Sequence, residues 1–148
     1  MAELDYAGLT TGLVQQLKDT DGLDGVHVTA EPDPPTTEQC PAVLVHLTRA
    51  SRTPARLVAG LTTGAPDDVV ARFQLGCFVF SAQGAADAAR QRDELLTIVV
   101  DAVRADRSIG GRVDWCEAGD VDFSYQPGGS HGSFYAVAIL TVLAHARA

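Results

Sequence analysis

The hydrophobic pattern predicts an α+β fold in a single domain, residues 1–148, with a mostly antiparallel or mixed β-sheet packed by two main helices. Three observations carry this. Apolar residues recur at helical spacing in two segments, one near the start and one in the middle of the chain. Strand-like segments fall in blocks on either side of the second helix, unlike the strict alternation of a doubly wound sheet. A chain of 148 residues suits one domain, and can bury roughly 68–70% of its unfolded surface without a disulfide or structural metal.

The first helix is predicted over residues 4–18, where Leu4, Ala7, Leu9, Leu13, Val14 and Leu17 keep roughly helical spacing. Glu3 and Asp5 are expected in its first turn and Lys18 in its last, as the helix dipole favours. Gly22 and Gly25 mark the stop. Val26–Thr29 reads as a short strand, ended by Glu31-Pro32-Asp33-Pro34-Pro35, since proline removes ladder donors. Ala42–Thr48 is a stronger strand, with Val43, Val45 and Leu47 on one face.

Residues 50–69, with Pro54, Gly60, Gly64 and Pro66, read as a long connection. Its arginines and apolar residues suit an interface arm. Arg72–Ser81 is the next strand, apolar on both faces at Phe78, Val79 and Phe80. The long helix spans 85–107, with a stripe of Leu95, Leu96, Val99, Ala102 and Val103, and Gly110-Gly111 after it. Val113–Cys116 is a strand, then a turn at Ala118-Gly119-Asp120, then Val121–Tyr125 pairing onward. A glycine-rich loop at 126–132 leads to a final strand, Ser133–Ala144, apolar on both faces.

Composition is that of an ordinary globular protein, 46% apolar and 20% charged. Eleven basic residues against nineteen acidic ones give a formal charge of −8. Such a field repels duplex DNA and anionic membrane. It serves solubility, or a channel wall that lets DNA slide past. Cys40, Cys77 and Cys116 are odd in number and lack a CxxC pair, which fits a reducing compartment. No apolar run approaches the ~20 residues of a bilayer span. The acidic N-terminus lacks a signal peptide's basic flank, so the chain is expected in the cytoplasm or in a particle assembled there.

Little in the sequence points to catalysis, and no enzyme is expected. His27, His46, His131 and His145 include no HExxH pair and none neighbours a cysteine at finger spacing, which leaves a dispersed zinc site of Cys40, His46 and Cys116 as a minor alternative to histidines that face solvent or a partner. Asp19, Asp21 and Asp24 depart from the calcium-loop pattern, with glycine too early and Ala30 at the twelfth position. The 128–132 loop lacks a Walker lysine, and Ser130, His131 and Ser133 show no third group to fix a base. Cys77, within an apolar strand, reads as a small buried hydrophobe. Arg49, Arg52 and Arg56 cluster without neighbouring aromatics, which favours a protein partner over nucleic acid. No catalytic, cofactor or metal residue is assigned.

The order of elements resembles the tail terminator and minor tail-completion (head–tail joining) proteins of long-tailed phages and phage-derived gene-transfer particles. Four stretches carry the likeness. One is the first helix ending Leu17-Lys18-Asp19, with the proline-rich link into Pro41-Ala42-Val43-Leu44-Val45. Another is the Phe73–Ser81 strand running into Gly84-Ala85-Ala86-Asp87-Ala88-Ala89. The others are Ile109-Gly110-Gly111-Arg112-Val113 and Gly132-Ser133-Phe134-Tyr135-Ala136-Val137. The resemblance covers nearly the whole chain and is one of pattern.

It implies a virion structural protein, located in the tail or neck and assembled in the host cytoplasm. It would form a ring, commonly of six copies, that caps the tail tube and ends its polymerisation. Partners would be further copies of itself, the tail tube protein and the head-completion or connector protein. DNA would pass the lumen without specific binding, with no membrane and no cofactor involved. The alternatives are another neck or tail-completion component, or a small ligand-binding α+β domain. Arg52, Arg56, Leu57, Leu61 and Arg72 are the expected interface residues. The last strand, and one end of the strand before the long helix, are apolar on both faces. Some of that surface is expected to need a partner subunit.

Overall fold

Asp5 starts the first helix from outside it, as a cap, rather than from within the first turn as the charge pattern predicts. Its Oδ1 accepts the Gly8 N–H at 2.9 Å, satisfying one of the donors a helix start leaves open. Helix α1 then runs Tyr6–Lys18. Leu9, Leu13 and Leu17, four apart, are wholly buried along one stripe. The computed structural model describes residues 4–54, 67–127 and 133–147.

Five strands follow: β1 (His27–Thr29), β2 (Ala42–Pro54), β3 (Asp67–Ser81), β4 (Trp115–Pro127) and β5 (Phe134–Arg147), with helix α2 (Ala85–Ala105) between β3 and β4. They form one sheet in the order β1-β2-β3-β5-β4. Among the described residues only β1 and β2 pair in parallel; the other neighbours are antiparallel. The fold is therefore α+β, a mixed sheet with two main helices.

Both helices pack on one face. The α1 leucines, Leu95, Val99 and Val103 of α2, and alternate strand residues such as Val43, Phe73, Leu75, Leu140 and Val142 form one buried core. Register places Val45 opposite Leu75, and Leu75 opposite Leu140, so this face is continuous across three strands. Gln16 joins the helices. Its Nε2 donates to the Ala102 and Asp106 carbonyls at 2.9 and 3.1 Å, capping groups that the end of α2 leaves open.

Most boundaries shift by a few residues from the sequence reading, and the larger differences have physical causes. Residues 50–54 and 67–69, read there as connection, are strand, and the ladder between β2 and β3 continues to Pro54 opposite Asp67. Alternation breaks at a bulge where Thr48 is the extra residue, and its Oγ1 donates to the Arg72 carbonyl (3.1 Å). Val113–Cys116 and Val121–Tyr125 are not two strands joined by a turn. They belong largely to β4, which carries a bulge between Ala118 and Val121. Helix α2 ends at Ala105, and Asp106 organises the next turn by accepting the Ser108 N–H and hydroxyl and the Gly110 N–H. That turn is left-handed over Ile109 (φ 51°), Gly110 and Gly111. Glycine is suited to such angles, whereas the β-branched Ile109 holds them with its side chain wholly buried.

Candidate functional site

The face of the sheet opposite the helices carries no helix among the described residues, and it is largely apolar. Phe78, Phe80, Tyr135, Ile139 and Leu143 lie there half-buried. Phe80 and Tyr135, directly opposite each other, pack with ring centroids 5.2 Å apart. Phe78 lies flat along its own strand, its ring occupying the space beside Gly76 where a Cβ would sit 2.8 Å away. Toward β1 the proline-rich link is held by the His46 imidazole, which meets the Glu31 carbonyl at 2.9 Å.

The other end of this face is charged. Arg49 of β2 lies directly opposite Arg72 of β3, and Arg72 lies opposite Leu143 of β5. A cleft of about 410 Å³ runs between Arg72, Asp120, Asp122, Thr141 and Leu143. A second, of about 520 Å³, lies between Asp68, Trp115, His145 and Arg147. Within it Trp115, 43% exposed, stacks on His145 at 3.9 Å. The His145 Nε2 sits 3.6 Å from the Glu117 carboxylate, just beyond hydrogen-bond reach. Arg147 pairs with Asp68 at 3.4 Å.

Strand β4 forms one border of the sheet. On its helix side Phe123 and Tyr125 are 55% and 53% exposed. Arg92 of α2 bridges from the core to these rings. The residue is 5% exposed, with its guanidinium 4.8 Å from the Phe123 centroid and 5.1 Å from that of Tyr125. Its Nε donates to Asp93 at 3.0 Å, and its buried Nη1 has no hydrogen-bond partner among the described residues.

Of the expected interface residues, the structure describes two, Arg52 and Arg72, and places them on opposite faces of the sheet. Arg72 is on the helix-free face. Arg52 lies opposite Val69, on the helix side, 3.6 Å from the Asp67 carboxylate. Arg56, Leu57 and Leu61 lie outside the described residues, as does the glycine-rich loop at 128–132. Sequence reasoning passed over Arg49 as one of a cluster, and it missed Trp115, Phe123, Tyr125 and the buried Arg92. The signal for two of these was present: aromatics two apart, Phe123 and Tyr125, share one side of a strand.

No three potential metal ligands converge among the described residues. Cys40, His46 and Cys116 are not brought together, since Cys116 lies on β4 at the far side of the sheet from β2. Burial pushes the Cys77 thiol up to about 12 and raises Cys116 and Cys40 as well, the reverse of an activated thiolate. A groove of about 400 Å³ beside α1, lined by Gln15, Gln16, Asp19, Asp106 and Arg112, is taken up with capping α2 and the turn after it. Among the described residues the clefts are open and bring no set of reactive groups together.

No family model matches the chain, and no curated protein matches it in sequence. Among solved structures, a chain of the "Virion of native gene transfer agent (GTA) particle" aligns with 95% of this chain and 99% of its own length. The identity is 15% and the TM-score 0.38.

Proposed function

We propose that the chain is a structural subunit of a phage-like virion that assembles into a ring at the end of the tail tube, as tail terminators do. The observation that carries this reading is the helix-free face, a broad half-buried apolar surface flanked by Trp115 and a charged end. A monomeric domain normally covers or breaks such a surface, and an assembling one uses it. The order of elements, which resembles that family, agrees with it. The net charge of −8 suits a lumen through which DNA slides.

In this reading the ring ends tube growth and presents a surface to the head connector. Its subunits act by shape and contact, and no bond-making step is assigned to them. Negative-stain imaging of the purified protein mixed with isolated tail tubes is the test. Rings seated on tube ends are expected. Bare tube ends, with the protein left as monomer or dimer, would remove the terminator role.

A further inference from the structure

The sheet has two borders, and they differ. Strand β1 pairs with β2 only from Ala42 to Leu44, so the outer edge of β2 from Val45 to Pro54 has no strand beside it among the described residues. At the other border, β4 has only β5 as a neighbour along Trp115–Pro127 among the described residues. Each border offers a row of backbone donors and acceptors to an incoming strand.

Charge distinguishes these borders. The free stretch of β2 carries Arg49 and Arg52 and no acid; β4 carries Glu117, Asp120 and Asp122 and no base. Two copies joined β4 to β4 would set acids against acids, and two joined β2 to β2 would set arginines against arginines. Like charges opposed across strands are destabilising. Only a β4-to-β2 contact brings opposite signs together.

Strand direction and register agree with that contact. Strands β2 and β5 run one way, β3 and β4 the other, so β4 of one copy meets β2 of a copy set beside it antiparallel. One row across the sheet reads Arg49, Arg72, Leu143, Glu117, all on the helix-free face. Arg49 and Glu117 therefore end the same row at opposite borders. Within the chain Arg49 faces another arginine, and neither has a carboxylate within 4 Å among the described residues.

We propose that the free edge of β4 in one copy pairs antiparallel with the free edge of β2 in the next, with Glu117 beside Arg49, so that the sheet continues from subunit to subunit. The two edges are different surfaces, so the contact is head-to-tail and closes into a ring when its rotation closes. This rests on the ring reading and assigns its interface. The His145 ring, 3.6 Å from Glu117, and Arg72, beside Arg49, are the other charged or titratable neighbours of this pair.

The test is a charge-swap cycle read by sedimentation velocity, with hydrogen exchange on the wild-type assembly. Glu117→Lys and Arg49→Glu each should weaken association by roughly fivefold per interface, and the double variant should regain most of the loss. Amides of 115–122 and 46–52 should gain protection on assembly. Tighter association of Glu117→Lys would mean that β4 meets β4, and would overturn the proposal. Rings that form unchanged in every variant, with both edges exchanging freely, would overturn the edge assignment and leave the ring standing. A wild type that never self-associates, alone or on tubes, would remove both.

Discussion

Arg92 is a charged side chain that the fold has drawn almost wholly inside, and its replacement separates what its head contributes from what its stem contributes. The guanidinium lies within 4.8 and 5.1 Å of two ring centroids. Each such contact contributes about 0.5–1 kcal/mol where the ring is exposed, as Phe123 and Tyr125 are. The ion pair with Asp93, whose side chain is 59% exposed, adds at most about 1 kcal/mol. Against these stands the buried Nη1, without a hydrogen-bond partner among the described residues, a cost of about 1–3 kcal/mol. The head therefore contributes close to nothing, and the stem decides the outcome. Arg92→Met keeps most of the stem and should stay within about 1 kcal/mol of wild type. Arg92→Ala deletes two buried methylenes at ~0.8 kcal/mol each and uncovers the rings, for a loss of about 2 kcal/mol. Urea unfolding checks this, comparing midpoints at unchanged slope. A methionine variant as damaged as the alanine one would refute the reasoning, because it would show that the guanidinium head holds a strong polar partner.

Further outcomes follow from the same geometry. At Ile109, where φ is 51°, Ile109→Ala should lose about 2–4 kcal/mol, and Ile109→Gly should be the milder change by about 1 kcal/mol. An alanine variant more stable than the glycine one in urea would contradict this. The Ser81 hydroxyl, then Arg90, holds the Asp87 carboxyl below the usual range, and Ser108 and Gly110 do the same for Asp106. Both folded pKa values are depressed, so the stability these bonds contribute is present above the unfolded value near ~4 and is lost as pH falls through the folded value. Asp87→Asn with Asp106→Asn should therefore lower the urea midpoint at neutral pH and flatten its fall in acid; an unchanged acid limb would speak against it. Alkylation read by mass spectrometry should modify Cys40 first and spare Cys77 and Cys116 until unfolding. Prompt labelling of Cys77 in the native protein would contradict the burial of that strand.

The fold class and both helices were legible because periodicity reports burial directly. Leu9, Leu13 and Leu17 mark the core side of α1, and Leu95, Val99 and Val103 that of α2. The outer half of the β2–β3 pair was not legible. The bulge at Thr48 breaks the alternation, and Arg49-Ala50-Ser51-Arg52-Thr53-Pro54 is exposed and polar, so hydropathy cannot tell it from loop. Strand β4 read as two pieces because Gly119-Asp120 looks like a turn and is a bulge. Arg92 was read past because arginine is rarely buried, and only the Phe123 and Tyr125 rings across the sheet border make its position tolerable. The exposed edges of the sheet depend on which strands end up at its borders, and strand order does not follow from local pattern. Arg49 and Glu117 are 68 positions apart in sequence, yet they end the same row of the sheet.

Ring assembly is the central claim, and the mass of the purified protein in solution across a range of concentrations, with and without isolated tail tubes, tests it most directly. A closed oligomer with a central opening under negative stain, free or formed on tube ends, is the predicted result. A strict monomer or dimer at every concentration, indifferent to the tubes, would contradict it.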